Sequence, residues 1–259
     1  MNPGVQRWLR RGFGRCAQVP ISDCVHYGGF RYGRGEYNPY ETYLQQLLHE
    51  GSEAARSRFI EFLRHYRPRH LGAALGLELK REYALWHYPW SRLSSRTDES
   101  GAWCDDPDDC PDILTHFSDR GILVRRIEEE FVWLERAMYS IRRHGFQPDR
   151  FGDPLFVQKL VGRDGRTAHL MLDGNHRLSA LSALGETMAP VHWAPWSVVR
   201  EEHLARWPLV RDGSYETEDA RKVFHAIFNG NQCPRTCESP APLLRFETRS
   251  DERSEPNQP

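Results

Sequence analysis

The order of sequence patterns in the second half of the chain constrains the fold most. A β-prone, apolar-rich stretch at 154–161, an Asp-Gly turn at 163–166 and a second β-prone stretch at 167–172 predict two strands joined by a hairpin. A tight loop and leucines at helical spacing follow, and residues 189–193 predict one further strand. Strands and helices in this order predict an α+β fold.

One short motif in this region carries chemistry, at residues 173–177 (Asp-Gly-Asn-His-Arg), where the strand gives way to the helix. The first backbone amides of a helix have no partner within the helix, so such a junction favours anions. Gly174 allows a ligand to approach the backbone, Asn175 is a candidate helix cap, His176 titrates near neutrality and Arg177 can grip a phosphate or carboxylate. The same spacing fits plain turn, cap and surface residues equally well.

The hairpin and this motif carry a resemblance. Residues 151–193, about a sixth of the chain, resemble the ParB N-terminal domain/sulfiredoxin superfamily, in which a hairpin and Asp-Gly-X-His-Arg at a helix start form a nucleotide-phosphate pocket. The chain is also similar to a ParB-like group of bacterial proteins at residues 38–40, 140–142 and 206–208. The resemblance implies a small mixed sheet with flanking helices and a large helical insertion.

Departures from the superfamily's patterns narrow the implied activity. The reductases of the superfamily carry a catalytic cysteine before the His-Arg pair, where this chain has Asn175. ParB proteins proper have Gly-Glu-Arg-Arg and then a basic helical DNA-binding domain, and this chain shows neither. The free serine kinases carry Asp-Gly-His-His-Arg, which differs from this motif only at Asn175. Kinase-like phosphoryl transfer to a small metabolite or glycan precursor is therefore the activity that the resemblance implies.

The resemblance also implies a cofactor and residue roles. The cofactor is ATP or CTP with Mg²⁺. The amides of Gly174 and Asn175, together with Arg177, hold the phosphates, and His176 stabilises charge on the transferred group. A carboxylate must accept the acceptor's proton or hold Mg²⁺, and Asp173 is adjacent.

Two further candidates lie in the glycine-rich stretch that follows the first β-prone segment. Glu36 is a candidate second catalytic carboxylate, although a solvated loop residue explains it as well. Arg31 is flanked by glycines that leave room for a ligand, so it is a candidate for binding a phosphate or the acceptor's anionic group. A surface ion pair is the alternative for Arg31.

The rest of the chain is predicted to be helical around this core. Apolar residues at helical spacing predict two helices between residues 39 and 67, one at 122–144 and one at 215–228. We expect a single domain over residues 1–238, with a helical insertion at about 39–144 and the nucleotide-site core at about 151–193. The tail at 239–259, rich in Pro, Ser and charge, is predicted to be disordered.

Composition excludes several classes of protein. With 35 Lys and Arg against 36 Asp and Glu, the net charge of −1 argues against binding nucleic acid by a global positive field. No apolar run reaches the roughly 18 residues of a membrane span, and the first residues lack a secretory signal pattern, so we expect a cytoplasmic protein. A non-catalytic nucleotide- or anion-sensing module, and a ParB-like DNA-binding or nuclease factor, remain alternatives to the phosphotransferase.

The cysteines and the acidic loop do not indicate a metal centre. Cys104/Cys110 and Cys233/Cys237 lack the usual two-residue knuckle spacing of structural zinc sites. The aspartates between residues 105 and 112 could gather around a divalent cation, but solvated acidic loops are far commoner. The sequence therefore predicts no protein-held metal site.

Overall fold

The computed structural model describes residues 15–33, 37–66, 68, 70–85, 87–91, 122–148, 154–230 and 244–245. Its strands are β1 (Arg15–Pro20), β2 (Cys24–Val25), β3 (Ile122–Leu123), β4 (Leu155–Val161), β5 (Thr167–Asp173), β6 (Met188–Trp193), β7 (Val199–Arg200) and β8 (Leu244–Arg245). Its α-helices are α1 (Pro39–Glu50), α2 (Ser52–His65), α3 (Leu71–Leu75), α4 (Val124–His144), α5 (Asn175–Ala183), α6 (Pro208–Arg211) and α7 (Thr217–Asn229). Short 3-10 turns span Ile21–Asp23, Pro195–Ser197 and Glu201–Arg206. None of the helices in these ranges is both long and apolar enough to cross a bilayer.

The main sheet is mixed, with strands in the order β1-β6-β4-β5-β2. The β4–β5 and β1–β6 pairs are antiparallel, whereas β6 and β2 run parallel to β4 and β5, respectively. Strand β7 pairs with the last two residues of β4. This mixed sheet with several helices confirms the α+β class predicted from the sequence.

The β4–β5 hairpin forms at the predicted Asp-Gly turn. Gly165 takes the left-handed conformation at φ 81°, and the Asp164 carboxylate accepts a hydrogen bond from the Arg166 amide. The hairpin places the end of β5 beside the start of β4, with Phe156 paired to Asp173. The motif at 173–177 therefore begins next to the centre of the sheet.

Both faces of the sheet are covered. On one face, Leu155, Val157 and Met171 pack with Leu178 and Leu181 of α5. On the other face, a larger cluster joins the sheet to α3, α6 and α7; its sheet residues are Leu160, Ala168, Leu170 and Val199. Helix α5 thus lies on one side of the sheet and α7 on the other.

Among the described residues, four helices lie between β2 and β4, within the range 39–144. Helix α1 begins where predicted because Asn38 caps it, its side-chain oxygen accepting from the amides of Tyr40 and Glu41. Helix α4 buries an apolar stripe (Ile127, Phe131, Leu134 and Met138) against α1, α2 and α5. Three of these helices, α1, α2 and α4, thus share one core with the helix that follows the motif.

Several boundaries differ from the sequence expectations. The second helix ends at His65, ahead of Pro68, because Tyr66 leaves helical geometry and its amide closes the last turn on Phe62. The first β-prone stretch is divided by the 3-10 turn at Ile21–Asp23, and the five-residue α3 was not predicted. Leu244–Arg245, within the tail predicted to be disordered, pair with β3. The predicted acidic loop and both cysteine pairs lie outside the described residues.

Candidate functional site

The turn between β5 and α5 is built on Gly174. This glycine is the N-cap of α5 at φ 93° and ψ 20°, a left-handed conformation that other residues resist. A Cβ at this position would lie 2.6 Å from Leu155 Cδ2 and 3.3 Å from Arg177 Nη2. Only glycine therefore lets the chain pass so close to β4. The expectation that Asn175 caps the helix is wrong, because Gly174 occupies the N-cap and Asn175 is the first helical residue.

Asp173 and Arg177 flank this glycine on the same side of the turn. The Arg177 guanidinium lies over Gly174, and its Nη2 is 3.5 Å from Asp173 Oδ1. The Arg177 side chain is 17% exposed, so the guanidinium is folded against the turn instead of extending into bulk water. The Asp173 side chain is 36% exposed. An anion that reached the turn would meet the guanidinium fork beside the positive end of α5.

His176 is held by helix α4. Its Nε2 lies 2.7 Å from Oε1 of Glu130, whose side chain is 1% exposed, while 23% of the His176 side chain is exposed. The imidazole also packs edge-on against Tyr40 of α1, with ring centroids 5.3 Å apart, and against Trp133 of α4 at 6.0 Å. Residues of both helices therefore fix the ring at the first turn of α5.

The described part of the glycine-rich stretch, residues 27–33, is hydrogen-bonded to the residues around the turn. The Tyr32 hydroxyl donates to Asn175 Oδ1 at 2.9 Å, and the Tyr27 hydroxyl donates to the carbonyl of Leu172 at 2.7 Å. Tyr32 is fully buried, so these bonds anchor the stretch to the end of β5 and the start of α5. The sequence pattern identified the glycine-rich stretch and the motif at 173–177 but did not predict that they are in contact.

Of the two candidates outside the motif, the structure describes Arg31 but not Glu36. The Arg31 side chain lies against Gly230, and its Nη1 donates to the carbonyl of Asn229 at 3.0 Å. This contact satisfies a carbonyl at the C-terminal end of α7. A role for Arg31 in binding the nucleotide stays a prediction. Glu36 lies outside the described residues, so its role also stays a prediction.

Glu130 is the residue of this site that the sequence reasoning missed. It is fully buried, and its Oε2 has no hydrogen-bond partner among the described residues. The signal was present in the pattern of α4, because position 130 falls three residues after Ile127 and four before Leu134, on the stripe that faces the core. A carboxylate on an otherwise apolar stripe is costly to bury and therefore indicates a specific partner.

Other polar and aromatic residues of the sequence belong to the core. Tyr88 and Trp90 stack in the cluster below α7, with ring centroids 5.1 Å apart. His169 is buried on β5, and burial lowers its pKa to about 4, with Lys159 adding to the shift. In the described part of the chain, no group of three or more His, Cys, Asp or Glu side chains is arranged to hold a metal ion.

Comparisons of the chain with protein-family models, with curated proteins and with solved structures found no match.

Proposed function

We propose that the protein binds the phosphates of ATP or CTP at the turn between β5 and α5 and transfers a phosphoryl group to a hydroxyl of a small metabolite or glycan precursor. The observation that carries the proposal is the joint placement of Arg177 and His176. Both side chains lie on the first turn of α5, both stay partly exposed, and each is held in place by a carboxylate. Phosphoryl transfer depends mainly on positioning and on charge stabilisation, which such groups supply.

Phosphate binding would use the turn itself. The amides of Gly174 and Asn175 and the dipole of α5 favour an anion at this point, and the guanidinium of Arg177 adds a charged fork of donors. Since Arg177 already lies over Gly174, a phosphate could replace Asp173 as its partner with little movement of the side chain.

The transfer step assigns roles to the remaining residues. The acceptor's hydroxyl oxygen bonds to the terminal phosphorus, the bond to the bridging oxygen breaks, and nucleoside diphosphate leaves. His176 donates to the transferred group and offsets its charge. The released proton passes to a carboxylate, and Asp173 is the candidate whose position is described. Mg²⁺ bound with the nucleotide would neutralise phosphate charge, and holding it is the alternative role for Asp173, in place of accepting the proton.

Nucleotide turnover tests this proposal. Wild-type protein with ATP or CTP, Mg²⁺ and a mixture of small hydroxyl compounds as acceptors, with water as the acceptor in their absence, should release nucleoside diphosphate, and Arg177→Ala and His176→Ala should each lower the rate by at least about 100-fold. Arg221→Ala is the matched control, because Arg221 also pairs with a carboxylate, Glu218, but lies on α7 across the sheet. Full activity in the Arg177→Ala/His176→Ala double variant would reject the proposal.

A binding module without catalysis is the second candidate. The Arg177–Asp173 pair favours it, because a phosphate could replace Asp173 as the anionic partner of Arg177 without any covalent step. This candidate predicts nucleotide binding in calorimetry with no diphosphate formed over hours. Multiple turnovers that depend on His176 would exclude it.

A further inference from the structure

We propose that Glu130 is a positioning residue for His176: its buried carboxylate accepts a hydrogen bond from Nε2–H and so fixes the orientation and tautomer of the imidazole at the start of α5. The inference rests on the proposed function in taking His176 as the group that faces the transferred phosphoryl. It adds a role for helix α4, which lies in the insertion and outside the motif.

The burial of Glu130 argues for a dedicated role. A carboxylate without exposure, flanked on its stripe by Ile127, Phe131 and Leu134, loses its hydration on folding. Within the described residues, one of its two oxygens has no hydrogen-bond partner, so His176 is the contact that offsets this loss. An apolar residue would fill such a position at lower cost. Its presence is therefore better explained by what it does to the histidine than by packing.

The contact has a definite consequence for the imidazole. In the proposed arrangement the Glu130 carboxylate is ionised and only accepts hydrogen bonds, so the ring nitrogen that faces it, 2.7 Å away, carries a proton. A neutral His176 is therefore the Nε2–H tautomer with Nδ1 as the acceptor, and protonation of Nδ1 gives the imidazolium that donates to the transferred group while Nε2–H stays on Glu130. Tyr40 and Trp133, which pack on the same ring, restrict its rotation but do not select a tautomer.

Nitrogen-15 NMR of His176 tests the inference directly. At a pH where the ring is neutral, the wild-type protein should show the Nε2–H tautomer. Glu130→Gln should give a mixture of tautomers, because an amide can donate or accept and has a similar shape. Glu129→Gln should match the wild type. This substitution removes the same charge one residue away, from a partly exposed side chain that pairs with Arg126. An unchanged tautomer in Glu130→Gln would overturn the inference.

A wild-type measurement keeps the test independent of how the variant folds. A wild-type His176 that is protonated on Nδ1 alone would overturn the inference without any substitution.

Turnover separates this inference from the proposed function. We expect Glu130→Gln to lower kcat by roughly 10²–10⁴-fold, as loss of tautomer control does, with KM for the nucleotide within about threefold because the phosphate ligands remain. A fall in affinity with unchanged kcat would contradict a positioning role. If the wild type shows the Nε2–H tautomer and no variant or wild-type protein transfers phosphate, the proposed function fails while the Glu130–His176 assignment stands.

Discussion

Replacing Gly174 by alanine tests whether the turn between β5 and α5 is built as described. Two costs are expected. The left-handed conformation at φ 93° costs an alanine roughly 1 kcal/mol. The new methyl group would lie 2.6 Å from Leu155 Cδ2. Because Leu155 is fully buried in a packed cluster, displacing its side chain should add roughly 1–3 kcal/mol.

Gly213→Ala separates the two costs. Gly213 has a similar φ of 81°, but a Cβ there would meet nothing within 4 Å. Urea unfolding should therefore show a loss of roughly 2–4 kcal/mol for Gly174→Ala and about 1 kcal/mol for Gly213→Ala. A loss in Gly174→Ala no larger than in Gly213→Ala would refute the close approach of the turn to β4, and with it the geometry of the site.

Two further predictions concern buried titratable groups away from the turn. Asp219 is fully buried and accepts hydrogen bonds from the Lys80 amide and the Tyr83 hydroxyl. Asp219→Asn should therefore lower the free energy of unfolding by about 2 kcal/mol. A variant whose thermal unfolding matches that of the wild type would contradict this role. Burial holds the pKa of His169 near 4, below the ordinary 6.5, so the unfolded chain binds the extra proton and stability falls as pH drops from about 6.5 to 4. Urea titrations of the wild type should show the free energy of unfolding falling by up to roughly 3 kcal/mol over this pH range. His169→Gln should abolish the fall, whereas His65→Gln, which replaces an exposed histidine, should retain it. Identical pH profiles in the two variants would contradict the assignment.

The parts of the fold that sequence patterns predicted are governed by local rules. The hairpin follows from Asp164-Gly165, because an aspartate and a glycine with positive φ suit that turn. Helix α1 follows from Asn38, whose cap needs only the two residues after Pro39. The predicted end of the second helix was wrong by a few residues, because the chain leaves helical geometry at Tyr66, before the proline at 68.

The candidate site was only half predictable, because its second half depends on contacts distant in sequence. The motif at 173–177 is contiguous, so its glycine, histidine and arginine could be read together. Glu130 reaches His176 across 46 residues and Tyr32 reaches Asn175 across 143. Arg31 lies against a helix 198 residues away, at Asn229. Such pairings are set by how α7 and the helices between β2 and β4 pack around the sheet, which the local sequence pattern does not specify.

Calorimetric titration of the protein with ATP and CTP in the presence of Mg²⁺ tests the central claim most directly, because it measures phosphate binding at the turn without requiring catalysis. The wild-type protein should bind at least one nucleotide, Arg177→Ala should weaken that binding by at least about tenfold, and Arg221→Ala should leave it unchanged. Equal affinities for wild type and Arg177→Ala, or no binding of either nucleotide by the wild type, would contradict the assignment of this turn as a nucleotide-phosphate site.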